Sequence, residues 1–143
     1  CIPFYFWAKT PMLYALFKNN VIGYAEGQRK IVYLVSTIQN VVENHLEFCF
    51  TDGHAAEAIT NYYVDLKDLD LLDWNAIYSD KWGECFHPED PDFKRRKQAE
   101  FLVKDSFPLK ALKGIATYDE EIEKCVREVF PQITVSAWPQ WFF

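Results

Sequence analysis

Leu46, Phe48 and Phe50 alternate with Glu47, Cys49 and Thr51, the period of two that lays one face of a strand on a core and the other toward water. That strand feeds directly into Thr51-Asp52-Gly53-His54. Upstream, Pro3-Phe4-Tyr5-Phe6-Trp7 reads as aromatic and extended. Thr10 and Pro11 supply an N-cap and a first helical position for a short helix through Met12 to Phe17. The run Ile31-Val32-Tyr33-Leu34-Val35 predicts a buried strand, and residues 36–44 a helix. Residues 55–63 are good helix formers, with Thr51 or Asp52 placed to accept hydrogen bonds from the first amides. Residues 65–74 predict a loop and a short helix. The stretch 75–94, with Gly83, Pro88 and Pro91, is the longest irregular segment, of the kind that often carries function. Gln98-Ala99-Glu100-Phe101-Leu102-Val103 leads into another buried strand, Lys113 to Thr117 into one more. A helix begins at Asp119-Glu120-Glu121 and runs to Phe130, with acids at its positive end. Residues 132–137 form a final strand. Short helices among scattered strands, without regular βαβ alternation or a glycine-rich phosphate loop, predict an α+β fold.

With 143 residues, half of them hydrophobic and 17% aromatic, the chain has material for one core, so a single domain over 1–143 is expected. The 25% of charged residues, 5 Gly and 7 Pro exclude a disordered or collagen-like chain. Fifteen basic against 21 acidic residues give a net charge of −6, so any nucleic-acid contact must be local. No apolar run approaches the ~20 residues that span a bilayer, and the start lacks the pattern of a secretory leader. A cytoplasmic location without membrane contact is the expectation. Cys1, Cys49, Cys85 and Cys125 form no C-x-x-C pair and read as reduced thiols.

Two residues stand out for chemistry. Glu100 lies between the basic run Lys94-Arg95-Arg96-Lys97 and the apolar Phe101-Leu102-Val103. A carboxylate at such a junction can stabilise an oxocarbenium-like sugar, accept from a ribose hydroxyl or take a proton. The same local sequence also fits an ordinary strand-edge glutamate paired with Arg95 or Lys97. His54 follows Gly53 at a strand-to-helix corner, where an imidazole and free amides can meet a phosphate or a base; it fits equally a first-turn residue that only caps or packs. Metal binding by His45, Cys49, His54 and Cys85 is rejected, because no repeated ligand spacing supports it. The basic run can neutralise phosphates, although such runs are usually a solvated face. Aromatics such as Phe4, Tyr5, Phe6, Trp7 and Tyr14 exceed what a small core requires, and stacking a base on such a ring is worth ~1–3 kcal/mol. No nucleophile elbow and no Cys-His pair at a helix start is present.

Three patches in order, Pro3-Phe4-Tyr5-Phe6 with Pro11-Met12-Leu13-Tyr14, then Thr51-Asp52-Gly53-His54-Ala55, then Arg95-Arg96-Lys97-Gln98-Ala99-Glu100-Phe101-Leu102-Val103, closely resemble the DarT family of DNA ADP-ribosyltransferase toxins. The similarity extends through residues 31–36 and 68–74. It implies an ADP-ribosyltransferase-like split β-sheet with short helices around an NAD cleft, and transfer of ADP-ribose from NAD to a base, commonly thymine, in single-stranded DNA. By resemblance Glu100 is the catalytic glutamate and His54 lies near the reacting groups. Tyr5 and Met12 help line the NAD pocket, Arg95 and Arg96 contact the DNA backbone, and the loop before Lys94 recognises the substrate. NAD enters as co-substrate, no metal is required, and a macrodomain antitoxin that removes the ADP-ribose is the implied partner.

Family members carry a region before the P-F-Y-F segment with a nicotinamide-site histidine and a catalytic arginine, and nothing here precedes Cys1. The expectation is an N-terminally truncated domain, weak or inactive as written. Two alternatives stay open: a catalytically defective remnant that binds single-stranded DNA or a protein partner, and a transferase acting on protein or RNA.

Overall fold

The computed structural model describes residues 1–143. Its strands are β1 (Ile2–Tyr5), β2 (Tyr33–Val35), β3 (Phe48–Thr51), β4 (Tyr62–Tyr63), β5 (Glu100–Val103), β6 (Gly114–Thr117) and β7 (Val135–Ala137). Five α-helices lie between them: α1 (Pro11–Phe17), α2 (Ile38–Glu43), α3 (Trp74–Tyr78), α4 (Phe93–Lys97) and α5 (Glu120–Val129). The chain gathers into two compact units, Cys1–Thr10 with Glu47–Ser106 and Pro11–Leu46 with Phe107–Phe143. Each owns a sheet, ordered β1-β5-β3-β4 in the first and β2-β6-β7 in the second. The fold is α+β, as the patterning predicts.

In the first unit every strand pair is antiparallel. Pairing of Phe4 with Phe101, Phe101 with Phe50 and Phe50 with Tyr63 lines one row of the sheet with aromatic rings. Phe50 stacks on Tyr63 at 5.5 Å and on Phe101 at 6.2 Å, and Phe48 on Phe101 at 4.9 Å. Phe6 closes the row edge-on against Phe101 and Trp74. These contacts bury Phe50, Phe101 and Val103 and supply the apolar area that drives the unit together. One residue along the strands, the next row is polar: Tyr5 faces Glu100, and Thr51 faces Tyr62.

α3 is capped by Asp73, which accepts from the Ala76 N–H at 3.0 Å, and it buries Ala76 and Ile77. α4 packs against α3 through Lys97, whose ammonium donates to the Ile77 carbonyl at 2.5 Å and lies over the Trp82 ring. Lys97 is only 3% exposed, and burial, partly offset by Asp80, lowers its pKa to about 8. The basic run is therefore not a solvated face. Only Lys94 is exposed; Arg95 and Arg96 are partly covered and Lys97 is buried.

In the second unit β6, α5 and β7 form a parallel crossover with β2 antiparallel at the edge. Asp119 caps α5 by accepting from the Ile122 N–H at 3.0 Å, and acids fill the first turn. Arg127 donates to the Val135 carbonyl at 2.9 Å, and Glu123 accepts from the Ala137 N–H at 2.7 Å, which ties the helix to β7. Leu13, Val41, Ala111, Ile115, Ala116, Val135 and Phe142 are buried.

Three expected elements differ. Residues 55–61 form turns rather than a helix, because β4 must return to pair with β3 and the capping oxygens of Thr51 and Asp52 are engaged elsewhere. The strand expected over 31–35 is ordered as a strand only at Tyr33–Val35, and it is an edge strand with Leu34 55% exposed. The segment expected to be irregular over 75–94 takes α3 at its start and α4 at its end, leaving turns between.

Candidate active site

Glu100 opens β5 and pairs across the sheet with Tyr5 of β1. Its residue is 6% exposed. Oε2 accepts from the Ala55 N–H at 2.7 Å, a charge-assisted bond that compensates for part of the cost of burying the carboxylate. The Nδ1 of His54 lies 3.6 Å from the same oxygen, beyond hydrogen-bonding reach. Nδ1 accepts from the Ala56 N–H at 3.2 Å, which leaves the ring hydrogen to Nε2. The His54 side chain is 41% exposed. Burial, and after it the Glu100 carboxylate, raises the Tyr5 phenol above its ordinary 10.0, which keeps that hydroxyl a neutral donor.

The backbone amide that holds Glu100 belongs to a closed loop. Asp52 accepts from the Asn61 backbone N–H at 3.0 Å and from its side-chain amide at 2.8 Å, and so closes residues 52–61 on themselves. Inside the ring, Thr60 donates to the His54 carbonyl at 2.8 Å, and the Tyr62 hydroxyl donates to the Ala55 carbonyl at 2.5 Å.

From below, Arg95 donates to Asp52 at 2.8 Å, to Thr60 at 3.3 Å, and with two nitrogens to Asp92. Burial pushes the Asp52 carboxyl up, but the bonds from Asn61 and Arg95 outweigh it and hold the group below 3.8. A Cβ on Gly53 would stand 2.2 Å from Arg95 Nη1 and 2.9 Å from its Cγ. The glycine is needed for that close approach of the guanidinium, which its partners prevent from swinging aside.

Arg96 extends the network to Asp73 at 2.9 Å, Asp92 at 3.1 Å and Asp90 at 2.5 Å. Both arginines, expected at a DNA backbone, thus have their donors engaged by carboxylates of the chain. They join the 52–61 loop, the end of the 79–92 segment and the cap of α3.

Glu100, His54 and Tyr5 come together in the first unit, with Arg95 one step behind them; Met12 belongs to the second unit. Sequence reasoning missed Thr51, Asn61, Tyr62 and Asp92. Thr51 alone had a signal, since strand alternation continued from Phe50 places it on the face opposite the aromatic row. Asp92 stands three and four residues before Arg95 and Arg96, a helical spacing that pairs opposite charges; Asn61 and Tyr62 act through contacts that no local pattern encodes. No group of three or more His, Cys, Asp or Glu is arranged to hold a metal ion, and no helix is long and apolar enough to cross a membrane.

The whole chain, residues 1–143, matches the family model described as "DarT: ssDNA thymidine ADP-ribosyltransferase, DarT". A DNA ADP-ribosyl transferase of Thermus aquaticus is 38% identical over 92% of this chain and 55% of its own length. One from Escherichia coli O127:H6 is 36% identical over 85% of this chain and 55% of its own. The chain spans little more than half the length of these relatives. Among solved structures, Thermus sp. 2.9 DarT in complex with NAD+ superposes with a TM-score of 0.90 at 33% identity, covering 99% of this chain and 72% of that one. The same protein in complex with ADP-ribosylated ssDNA gives 0.91 at 32%, over 99% and 68%.

Proposed function

The chain belongs to the DarT family, and from that premise we propose that the protein it comes from transfers ADP-ribose from NAD to a thymine base in single-stranded DNA. One observation carries the reading: a buried carboxylate, Glu100, has one oxygen fixed by a backbone amide beside an exposed imidazole and a neutral phenol. Oε2 is bound to Ala55, so Oε1 is the oxygen that addresses the nicotinamide ribose. As the bond from ribose C1′ to nicotinamide breaks, the fixed negative charge stabilises the cationic sugar, and nicotinamide leaves with the bonding pair. A base nitrogen then bonds to C1′ and releases its proton toward Glu100. His54 presents Nε2–H to substrate, and Tyr5 donates its hydroxyl on the carboxylate's row. By resemblance to the family, Met12 helps line the NAD pocket. Arg95 and Arg96 support DNA binding chiefly by shaping the loop that ends at Asp92, with Lys94 as the exposed cation of the run. NAD is a substrate here, and the reaction needs no metal.

Substrates of this kind place the protein in the cytoplasm, and a macrodomain antitoxin that removes the ADP-ribose is the fitting partner. The full-length protein, incubated with NAD and single-stranded oligonucleotides, is expected to add one ADP-ribose to DNA by mass, and Glu100→Ala to add none. A folded, full-length protein that leaves every oligonucleotide unmodified would instead favour a catalytically defective remnant that binds single-stranded DNA or a protein partner; labelled NAD offered with protein or RNA separates the remaining acceptors.

A further inference from the structure

We propose that the Thr51 hydroxyl is the positioning group of Glu100, pinning the strand that carries the carboxylate to the loop that carries its partners. The proposal rests on the transferase reading. Thr51 is fully buried. Its Oγ1 accepts from the Glu100 backbone N–H at 3.0 Å and donates to the Gly53 carbonyl at 2.7 Å, with the Glu100 carbonyl 3.3 Å away. An ordinary ladder bond at this point would tie Glu100 to the sheet alone. The hydroxyl ties it also to Gly53, which adjoins His54 and lies two residues before the Ala55 amide that holds Oε2. Thr60 steadies the same amide from its carbonyl side by donating to the His54 carbonyl, and Tyr62 holds the next peptide through the Ala55 carbonyl. Misplacing a reacting group by ~1 Å can cost on the order of 100-fold in rate, so a single oxygen here sets the alignment of carboxylate, amide and imidazole.

A packing role and a positioning role predict opposite rankings of two variants. Thr51→Val keeps the shape and removes the hydroxyl, leaving a buried N–H and a buried carbonyl unpaired, whereas Thr51→Ser keeps the hydroxyl and loses a methyl. In the full-length protein, Thr51→Val is expected to lower kcat by about tenfold or more with KM for NAD within about twofold, and Thr51→Ser to keep kcat within about threefold. Backbone amide exchange without substrate reads the same contact independently of turnover. The Glu100 and Ala55 amides should exchange about tenfold faster in Thr51→Val and stay protected in Thr51→Ser. Should Thr51→Val not fold, Thr51→Ala against Thr51→Ser gives the same contrast. Equal protection of those amides in the hydroxyl-free variant, or a serine variant as impaired as the valine one, overturns the proposal. A wild-type protein that transfers nothing from NAD removes the transferase reading, while the exchange result still stands or falls by itself.

Discussion

Two corners of this molecule start alike and end differently. After β6 the chain reaches Asp119, whose carboxylate caps α5. After β3 it reaches Asp52, whose carboxylate turns instead to Asn61 and Arg95, so that helix-forming residues such as Ala55, Ala56 and Ala58 are held in a closed loop. The local sequence favours a helix at both corners. The difference is made by partners distant in sequence: the second corner has to present the Ala55 N–H to Glu100, and a helix capped by Asp52 would take up the groups that hold the loop.

The widest gap between the corners is chemical. Glu100→Gln keeps the shape of the loop corner and removes its charge; transfer to DNA should fall by on the order of 1,000-fold, while the thermal melt stays near wild type. Retained transfer would reduce the loop to a structural detail.

Next comes the helix that supplies Arg95. Lys97 in α4 has a folded pKa of about 8 against an ordinary 10.5, so between those values the unfolded chain holds more protons and stability rises with pH. Relative to Lys97→Met, the wild type should gain on the order of 3 kcal/mol between pH 8 and 10.5 in urea titrations. A difference between the two that does not change with pH would show that the ammonium sits wetter than its contacts imply.

Removing the lock itself ranks third. Asp52→Ala leaves Arg95 with Asp92 and Thr60 and opens the 52–61 ring, a loss of about 2 kcal/mol for a partly exposed pair, read as a lower urea midpoint with reduced kcat. The wild-type lock should likewise weaken as pH drops below 3.8, because the folded carboxyl titrates below its ordinary value. The smallest effect is the control at the other corner: Asp119→Ala should cost about 1 kcal/mol through the lost cap and leave transfer unchanged. If it slowed transfer as much as Asp52→Ala does, the contrast between the corners would be wrong.

What could be read in advance follows the same division. α1 and α5 were legible because their signals are local: Thr10 and Pro11 at the first turn of one, the acids Asp119, Glu120 and Glu121 at the start of the other. β3 and β5 were legible because alternation and apolar runs report burial directly. Glu100 and His54 were marked by their settings, Tyr5 by its place in the P-F-Y-F patch. The 52–61 loop was not legible, because a capping aspartate and a clamping aspartate look the same until Arg95, more than forty positions later, folds beneath Gly53. For Arg95 and Arg96, Asp90 and Asp92 stand close by in sequence, but nothing local announces that Asp73 joins them.

The pairing of β1 with β5 also sets an order of assembly. Ile2 through Tyr5 leave the ribosome long before Glu100 through Val103, their only partners in the sheet. A nascent polypeptide therefore cannot complete the row that holds Glu100 until β5 has been made, and non-local closure of this kind is slow. A ribosome-bound fragment ending before Glu100 therefore lacks at once the candidate carboxylate and the strand on which β1 is to pair.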